Sequence, residues 1–162
     1  MEKDRKYIIT AIQVAKGKIK ISYDASGDMG TESYTLISAE KARPELYKAM
    51  FDLRSHVASL LEIDFQGMDD RIRPRVVKFD YDSNDRMSAI IEADFKVPLA
   101  MATVPIRTPE KTEPIDSEVD INEAVFMFAS TADQLKLLMK EVLLFIDGKR
   151  AQEKLLFSDD KK

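Results

Sequence analysis

Apolar and polar residues alternate along much of this chain, a pattern typical of strands with one buried face. Residues 7–15 read YIITAIQVA and are rich in β-branched residues, and Gly17 supplies a tight turn into a second strand over 18–24. A third strand is predicted over 32–37, before a helix that begins near Pro44. The first half is therefore predicted to be three strands and a helix.

The second half repeats this order with one more strand. Strands are predicted over 71–82, 87–97, 100–108 and 121–129, with Pro105 placing part of the third at a sheet edge. Thr131 and Gln134 suit a capping box before a long apolar helix. The pattern predicts an α+β fold: a largely antiparallel sheet of about six to seven strands. We expect two ββ(β)βα halves, about 6–63 and 71–147, with two long helices packed on one face.

Length and composition fit one domain over residues 1–162, with an acidic loop at 109–120 and a C-terminal extension at 148–162. The chain has no cysteine, which suits a reducing compartment. No apolar run reaches the length of a membrane span, and the N-terminus lacks a signal-peptide core. We therefore predict a cytoplasmic location and no membrane partner.

The net charge of -4 comes from one region of the chain. Residues 1–66 carry ten basic and ten acidic groups, whereas residues 110–130 carry six acids and the single base Lys111. The rest of the chain is close to neutral, so the low pI does not exclude an anionic partner.

No motif in the sequence indicates a catalytic, metal or cofactor site. His56 is the only histidine, and no HExxH or similar pattern surrounds it. The stretch DYDSND at 80–85 resembles the start of a calcium loop, but Asp85 occupies the position that needs glycine, so we interpret it as a hairpin turn. We predict a non-enzymatic protein with no metal and no cofactor.

Two short rows of basic residues alternate with apolar ones, and tyrosines lie on the strands around them. A cationic surface with aromatic side chains is typical of proteins that bind single-stranded nucleic acid. The alternative is a solvated sheet edge that Lys and Arg protect from pairing. The candidate binding residues are Lys16, Lys18, Lys20, Arg71, Arg73, Arg75, Tyr7, Tyr23 and Tyr81.

The first half also resembles a PUR repeat, and the similarly built whirly proteins, in its order of elements. The resemblance is carried by Ala15-Lys16-Gly17-Lys18 in the first hairpin, by the alternating strand that follows and by the later strand and helix. It covers residues 6–63, and residues 71–147 only as an order of elements. It implies a paired-repeat domain that binds single-stranded DNA or RNA through the sheet face bearing Lys16, Lys18 and Lys20.

The leading prediction is therefore a binding protein for single-stranded DNA or RNA, in which basic rows contact phosphates and tyrosines stack on bases. The alternative is a protein-interaction or assembly module, such as a small subunit or an inhibitor acting by occlusion. That module would use its helices and the acidic loop to contact a protein partner.

The second helix also predicts self-association. Within 135–146, only Lys136, Lys140 and Glu141 interrupt the apolar residues, whereas packing on a sheet requires only one apolar stripe. A homodimer around 135–157 is predicted. Its interface residues are Leu135, Leu138, Val142, Phe145 and Leu156.

Overall fold

A computed structural model describes residues 6–63, 66–114 and 125–150. These residues form a seven-stranded sheet whose paired strands are antiparallel, with helices packed against it, which confirms the predicted α+β class. The strands are β1 (Lys6–Ala15), β2 (Lys18–Gly27), β3 (Gly30–Ser38), β4 (Ile72–Tyr81), β5 (Met87–Val97), β6 (Ala102–Arg107) and β7 (Lys111–Thr112).

The strand order is symmetric about the pairing of β1 with β4, here called the seam, where the two halves of the chain meet. It runs β3-β2-β1-β4-β5-β6, with β7 pairing on β5, so the first strand of each half meets the other in the centre. The seam is short, because β1 and β4 pair only from Ala11–Lys78 to Gln13–Val76. This order fits an internal duplication, which stays a prediction.

The helices are α1 (Pro44–Phe51), α2 (Arg54–Leu60) and α3 (Ala129–Ile146). The first predicted helix is thus two short helices, separated at Asp52 and Leu53. Each half's helical segment packs on the first strand of the other half: α1 and α2 contact β4, and α3 contacts β1 and α1. The apolar stripe predicted for the first helix does lie in the core: Leu46, Met50, Leu53 and Val57 are buried, and Leu60 packs against them.

The start of α3 differs from the prediction. Its helical residues begin at Ala129, so Thr131 lies inside the helix, where its hydroxyl is 2.8 Å from His56 Nδ1. The amide of Gln134 donates to the carbonyl oxygen of Ala49 rather than closing a capping box. These two polar side chains therefore join α3 to α2 and α1 rather than capping α3. Of the strand predicted over 121–129, the part within the described residues forms only a single bridge from Phe126 to Thr112.

Four of the five predicted dimer residues lie in the core of a single chain. Leu135, Leu138 and Val142 are 0% exposed and Phe145 is 1% exposed, so they are not available to a second copy. The sheet and α1 together bury more of the α3 surface than a single apolar stripe. Even Glu141 is buried, beside Arg43. Leu156 lies outside the described residues. Of α3's large apolar residues, Leu137 is the one that is markedly exposed, at 47%.

A single cluster of buried side chains runs beneath the helices and draws on both halves of the sheet. In residues 6–63, 66–114 and 125–150, no helix is both long enough and apolar enough to cross a membrane.

Candidate functional site

The helices cover one face of the sheet, here called the covered face, and the opposite face is called the open face. Cross-strand partners in a sheet lie on the same face, so the register assigns each side chain. Ile12 pairs with Ile21 and with Val77, and these three are fully buried on the covered face. Their neighbours Gln13 and Lys20, which also pair, are exposed on the open face.

The centre of the open face has a basic channel. Its floor is β1, where Ala11, Gln13 and Ala15 present short or neutral side chains. One side is β2 and the other is β4, each one strand spacing from the floor. Neighbouring strands lie about 4.8 Å apart, so the two sides are roughly 10 Å apart where β1 pairs with β4. The sides carry Lys18 and Lys20 on β2, and Arg73, Arg75 and Lys78 on β4.

The two sides of the channel differ in how their charges are compensated. On the β4 side, Arg75 Nε lies 3.0 Å from Asp94 Oδ1, and Lys78 Nζ lies 3.2 Å from Glu92 Oε2. Both acids project from β5, on the side away from the channel floor. Lys18 and Lys20 on β2 and Arg73 on β4 form no ion pair within the described residues. The uncompensated charge therefore lies on the β2 side and at Arg73.

The open face as a whole is basic although the protein is acidic. By register it bears eight basic residues against four acidic ones. The open face is therefore net positive, whereas the whole chain is net negative. The basic residues are Lys6, Lys18, Lys20, Arg73, Arg75, Lys78, Lys96 and Arg107, and the acidic residues are Asp24, Asp80, Glu92 and Asp94.

The outer members of the two predicted basic rows lie at one end of this face. Lys16 belongs to the turn between β1 and β2, where Gly17 takes the positive φ of 70° that the turn requires. Arg71 ends the 3-10 turn Asp69–Arg71, just before β4. At the same end, Arg73 lines a cleft of about 590 Å³ between the sheet and α1, together with Phe51 and Arg54.

The predicted tyrosines lie on the covered face, opposite the lysines. Tyr7 and Tyr23 meet edge to face, with ring centroids 5.4 Å apart, and Tyr34 of β3 stacks on Tyr23 at 5.5 Å. Tyr81 is partly buried; its hydroxyl donates to the carbonyl oxygen of Ile9, and burial raises its pKa well above the usual value. The structure therefore does not bring the tyrosines together with Lys18 and Lys20. The strands β1–β6 present no aromatic side chain on the open face.

Sequence reasoning missed four cations of the open face, Lys6, Lys78, Lys96 and Arg107. A signal for Lys78 was present, because Val77 and Phe79 on either side of it are apolar and buried. The β-bulge at Arg75 hides this signal, since it shifts the alternation by one residue within the row of arginines.

The remaining candidate sites have structural roles. His56 links α2 to α3 through Thr131, and burial lowers its pKa. The carboxylate of Asp82 accepts hydrogen bonds from the backbone N–H groups of Asn84 and Arg86, which holds the hairpin turn predicted there. The residues that the structure describes contain no cluster of His, Cys, Asp and Glu able to hold a metal ion.

Part of the predicted acidic loop is anchored to the fold. Glu113 accepts a hydrogen bond from the N–H of Met87 at 2.8 Å and lies 2.8 Å from Lys136 Nζ. Burial acts to raise the pKa of Glu113, but these two contacts outweigh it and the pKa is lowered. Residues 115–120 lie outside the described residues.

No protein-family profile matches the chain, and no curated protein or solved structure is significantly similar to it.

Proposed function

We propose that this protein binds single-stranded nucleic acid along the basic channel of its open face. The observation that carries the proposal is the arrangement of charge around β1. Two rows of cations flank a floor of small, neutral side chains on an otherwise acidic protein. A phosphate backbone lying on that floor would meet ammonium groups on one side and guanidinium groups on the other.

The width of the channel favours a single strand. Roughly 10 Å between its sides, from two strand spacings, admits one sugar-phosphate backbone. A duplex presents two backbones around a helix wider than this channel, so only one of its strands would reach the floor. Basic grooves that track one backbone are characteristic of proteins that bind single strands.

The contacts would be made to phosphates rather than to bases. The open face offers no aromatic ring on β1–β6, so base stacking does not contribute there. Binding of this kind depends little on sequence and strongly on salt, because each neutralised phosphate releases a counterion. The prediction from sequence that tyrosines stack on the bases is therefore not part of this proposal.

A fluorescence anisotropy titration with a labelled oligothymidylate at 50 mM and 200 mM salt tests the proposal. If the five channel cations each neutralise one phosphate, affinity falls about 100-fold between the two salt concentrations, from a slope of about 0.7 per phosphate. A duplex of equal length is expected to bind more weakly. An absence of binding at 50 mM salt, or an affinity independent of salt, would contradict the proposal.

The predicted alternative, a protein-interaction module, has one observation in its favour. The edge strand β3 is regular, nearly uncharged and mostly exposed on both faces. Such an edge is available for pairing with another chain. Pairing at β3 leaves the channel free, so the two functions are compatible.

A further inference from the structure

The two edges of the sheet differ in how well they resist pairing. At one edge, β6 has six residues and carries Pro105 and Arg107, which protect an edge strand. At the other edge, β3 has nine residues and pairs with β2 from Ser38 to Gly30 without a register shift. Glu32 is its only charged residue, and it contains no proline. The β3 edge thus lacks the usual protection.

Side chains of β3 are exposed on both faces of the sheet. Ile37 on the open face is 64% exposed, and Tyr34 on the covered face is 37% exposed. A long, flat edge with exposed apolar side chains invites another strand, because alternate residues direct backbone N–H and C=O groups away from β2.

We propose that two copies of this protein associate by pairing their β3 strands antiparallel, about a two-fold axis through Thr35. The symmetry is isologous, so the same strand serves both partners. In this register Thr35 faces itself and Ser33 faces Ile37 on the open face. On the covered face Tyr34 faces Leu36, and Glu32 faces Ser38.

This register is more complementary than those with the axis at Tyr34 or at Ser33. Paired residues must lie on the same face of the sheet, so the two-fold axis must pass through a residue of β3. Alternative registers move this axis from one residue to the next along the strand. An axis at Tyr34 sets Glu32 against Leu36, and an axis at Ser33 sets Glu32 against Tyr34. With the axis at Thr35, two aromatic–aliphatic pairs form and no charge opposes an apolar side chain, and such cross-strand pairs stabilise a sheet.

The pairing would join the two sheets into one, with both open faces on the same side. The β1 floors of the two channels would lie five strand spacings apart, about 24 Å. This consequence, a dimer that binds two strands or one folded strand, rests on the proposed function. The pairing itself does not, and it is measured without nucleic acid.

Sedimentation of the full chain at micromolar concentration tests the association. The chain is expected at dimer mass, and Thr35→Lys is expected at monomer mass, because it sets two ammonium groups against each other on the axis. Thr103→Lys is the matched control: the same change at an exposed position of the other edge strand, which leaves the dimer intact. Monomer mass for the unaltered chain overturns the proposal.

Disulfide cross-linking tests the register, and the absence of native cysteine makes each introduced thiol unique. Thr35→Cys places two thiols opposite each other, with Cα atoms about 5.5 Å apart, within the range of a disulfide. Mild oxidation is expected to yield mostly covalent dimer. Ser33→Cys, two residues away on the same face, lies about 14 Å from its counterpart and is expected to stay uncross-linked. Equal cross-linking of the two variants overturns the Thr35 axis, even if Thr35→Lys fails to fold.

Discussion

Ile90 and Ile91 are neighbours in β5 and lie on opposite faces of the sheet. Ile91 is 1% exposed beneath the helices, while Ile90 is half-buried on the open face between Lys78 and Ser88. The covered face is built for packing and is nearly free of charge. The open face carries twelve charged residues and little that packs. The same strands thus provide a core on one side and a charged surface on the other.

Two β-bulges allow the faces to stay so different. The register shifts at Thr10 in β1 and at Arg75 in β4, on either side of the central seam. Strict alternation from Arg73 and Arg75 would bring Val77 and Phe79 to the open face. The extra residue turns Val77 and Phe79 inward and leaves Arg75 with the cations. The bulge at Arg75 therefore keeps Val77 and Phe79 in the core, although it leaves Val76 on the open face opposite Gln13.

The largest expected effect is on stability, and it differs between the two faces. Ile91→Ala is expected to lower the free energy of unfolding by about 2–5 kcal/mol, because it leaves a cavity under the helices. Ile90→Ala makes the same chemical change at an incompletely buried position, and is expected to cost less than half as much. Urea denaturation measures both. Equal losses would show that the open face is packed like a core.

A smaller effect is expected from the acids beside the channel. Asp94→Asn with Glu92→Gln removes the partners of Arg75 and Lys78, so single-stranded DNA is expected to bind about five-fold more tightly at low salt. The stability cost is small, since half-exposed ion pairs contribute about 0–1 kcal/mol each. Asp133→Asn with Asp147→Asn, at exposed positions of α3 and its C-cap, is the matched control. An equal gain in the control would mean that only net charge matters.

The smallest expected effect is a dependence of stability on pH, caused by His56 between α2 and α3. Burial lowers the pKa of His56 below its ordinary value of 6.5, so the folded protein favours the neutral ring. As pH falls through 6.5 the unfolded chain takes up a proton that the folded chain does not, and stability falls. The melting temperature is thus expected to be lower at pH 5.5 than at pH 7.5, with part of the drop absent in His56→Gln. An identical drop in that variant would contradict the assignment.

Much of the fold was predictable because its signals are local. Alternation located β1, β2, β4 and β5, and the stripe from Leu46 to Val57 located the first helical segment. The predicted capping box at Thr131 was wrong because the Thr131 hydroxyl hydrogen-bonds to His56 in another helix. Such a contact depends on residues that are distant in the sequence. The predicted dimer interface on α3 lies in the core for a similar reason. How much of the α3 surface is buried by β1 and α1 depends on the assembled fold.

The candidate site was only partly predictable. Lys18 and Lys20 were identified from alternation. The strand order places β2 and β4 on either side of β1, so the arginines of β4 lie across β1 from these lysines. Alternation in β2 already sets Tyr23 with the apolar Ile19 and Ile21, on the face opposite Lys18 and Lys20. For Tyr7 the sequence could not give the face, because the bulge at Thr10 shifts the alternation of β1. It also could not show the bulge at Arg75, which has no local signature.

The proposed function requires that the open face, rather than positive charge in general, binds single-stranded nucleic acid. Two double charge reversals, compared by anisotropy titrations at 50 mM and 200 mM salt, distinguish these two possibilities. Lys18→Glu with Lys20→Glu alters the channel, whereas Lys140→Glu with Lys149→Glu makes the same change at exposed positions in and after α3. We expect at least a ten-fold loss of affinity for the channel variant, a salt slope lower by about 1.4, and little change for the helix variant. Equal losses in the two variants, or an unchanged affinity in the channel variant, would contradict the proposed function.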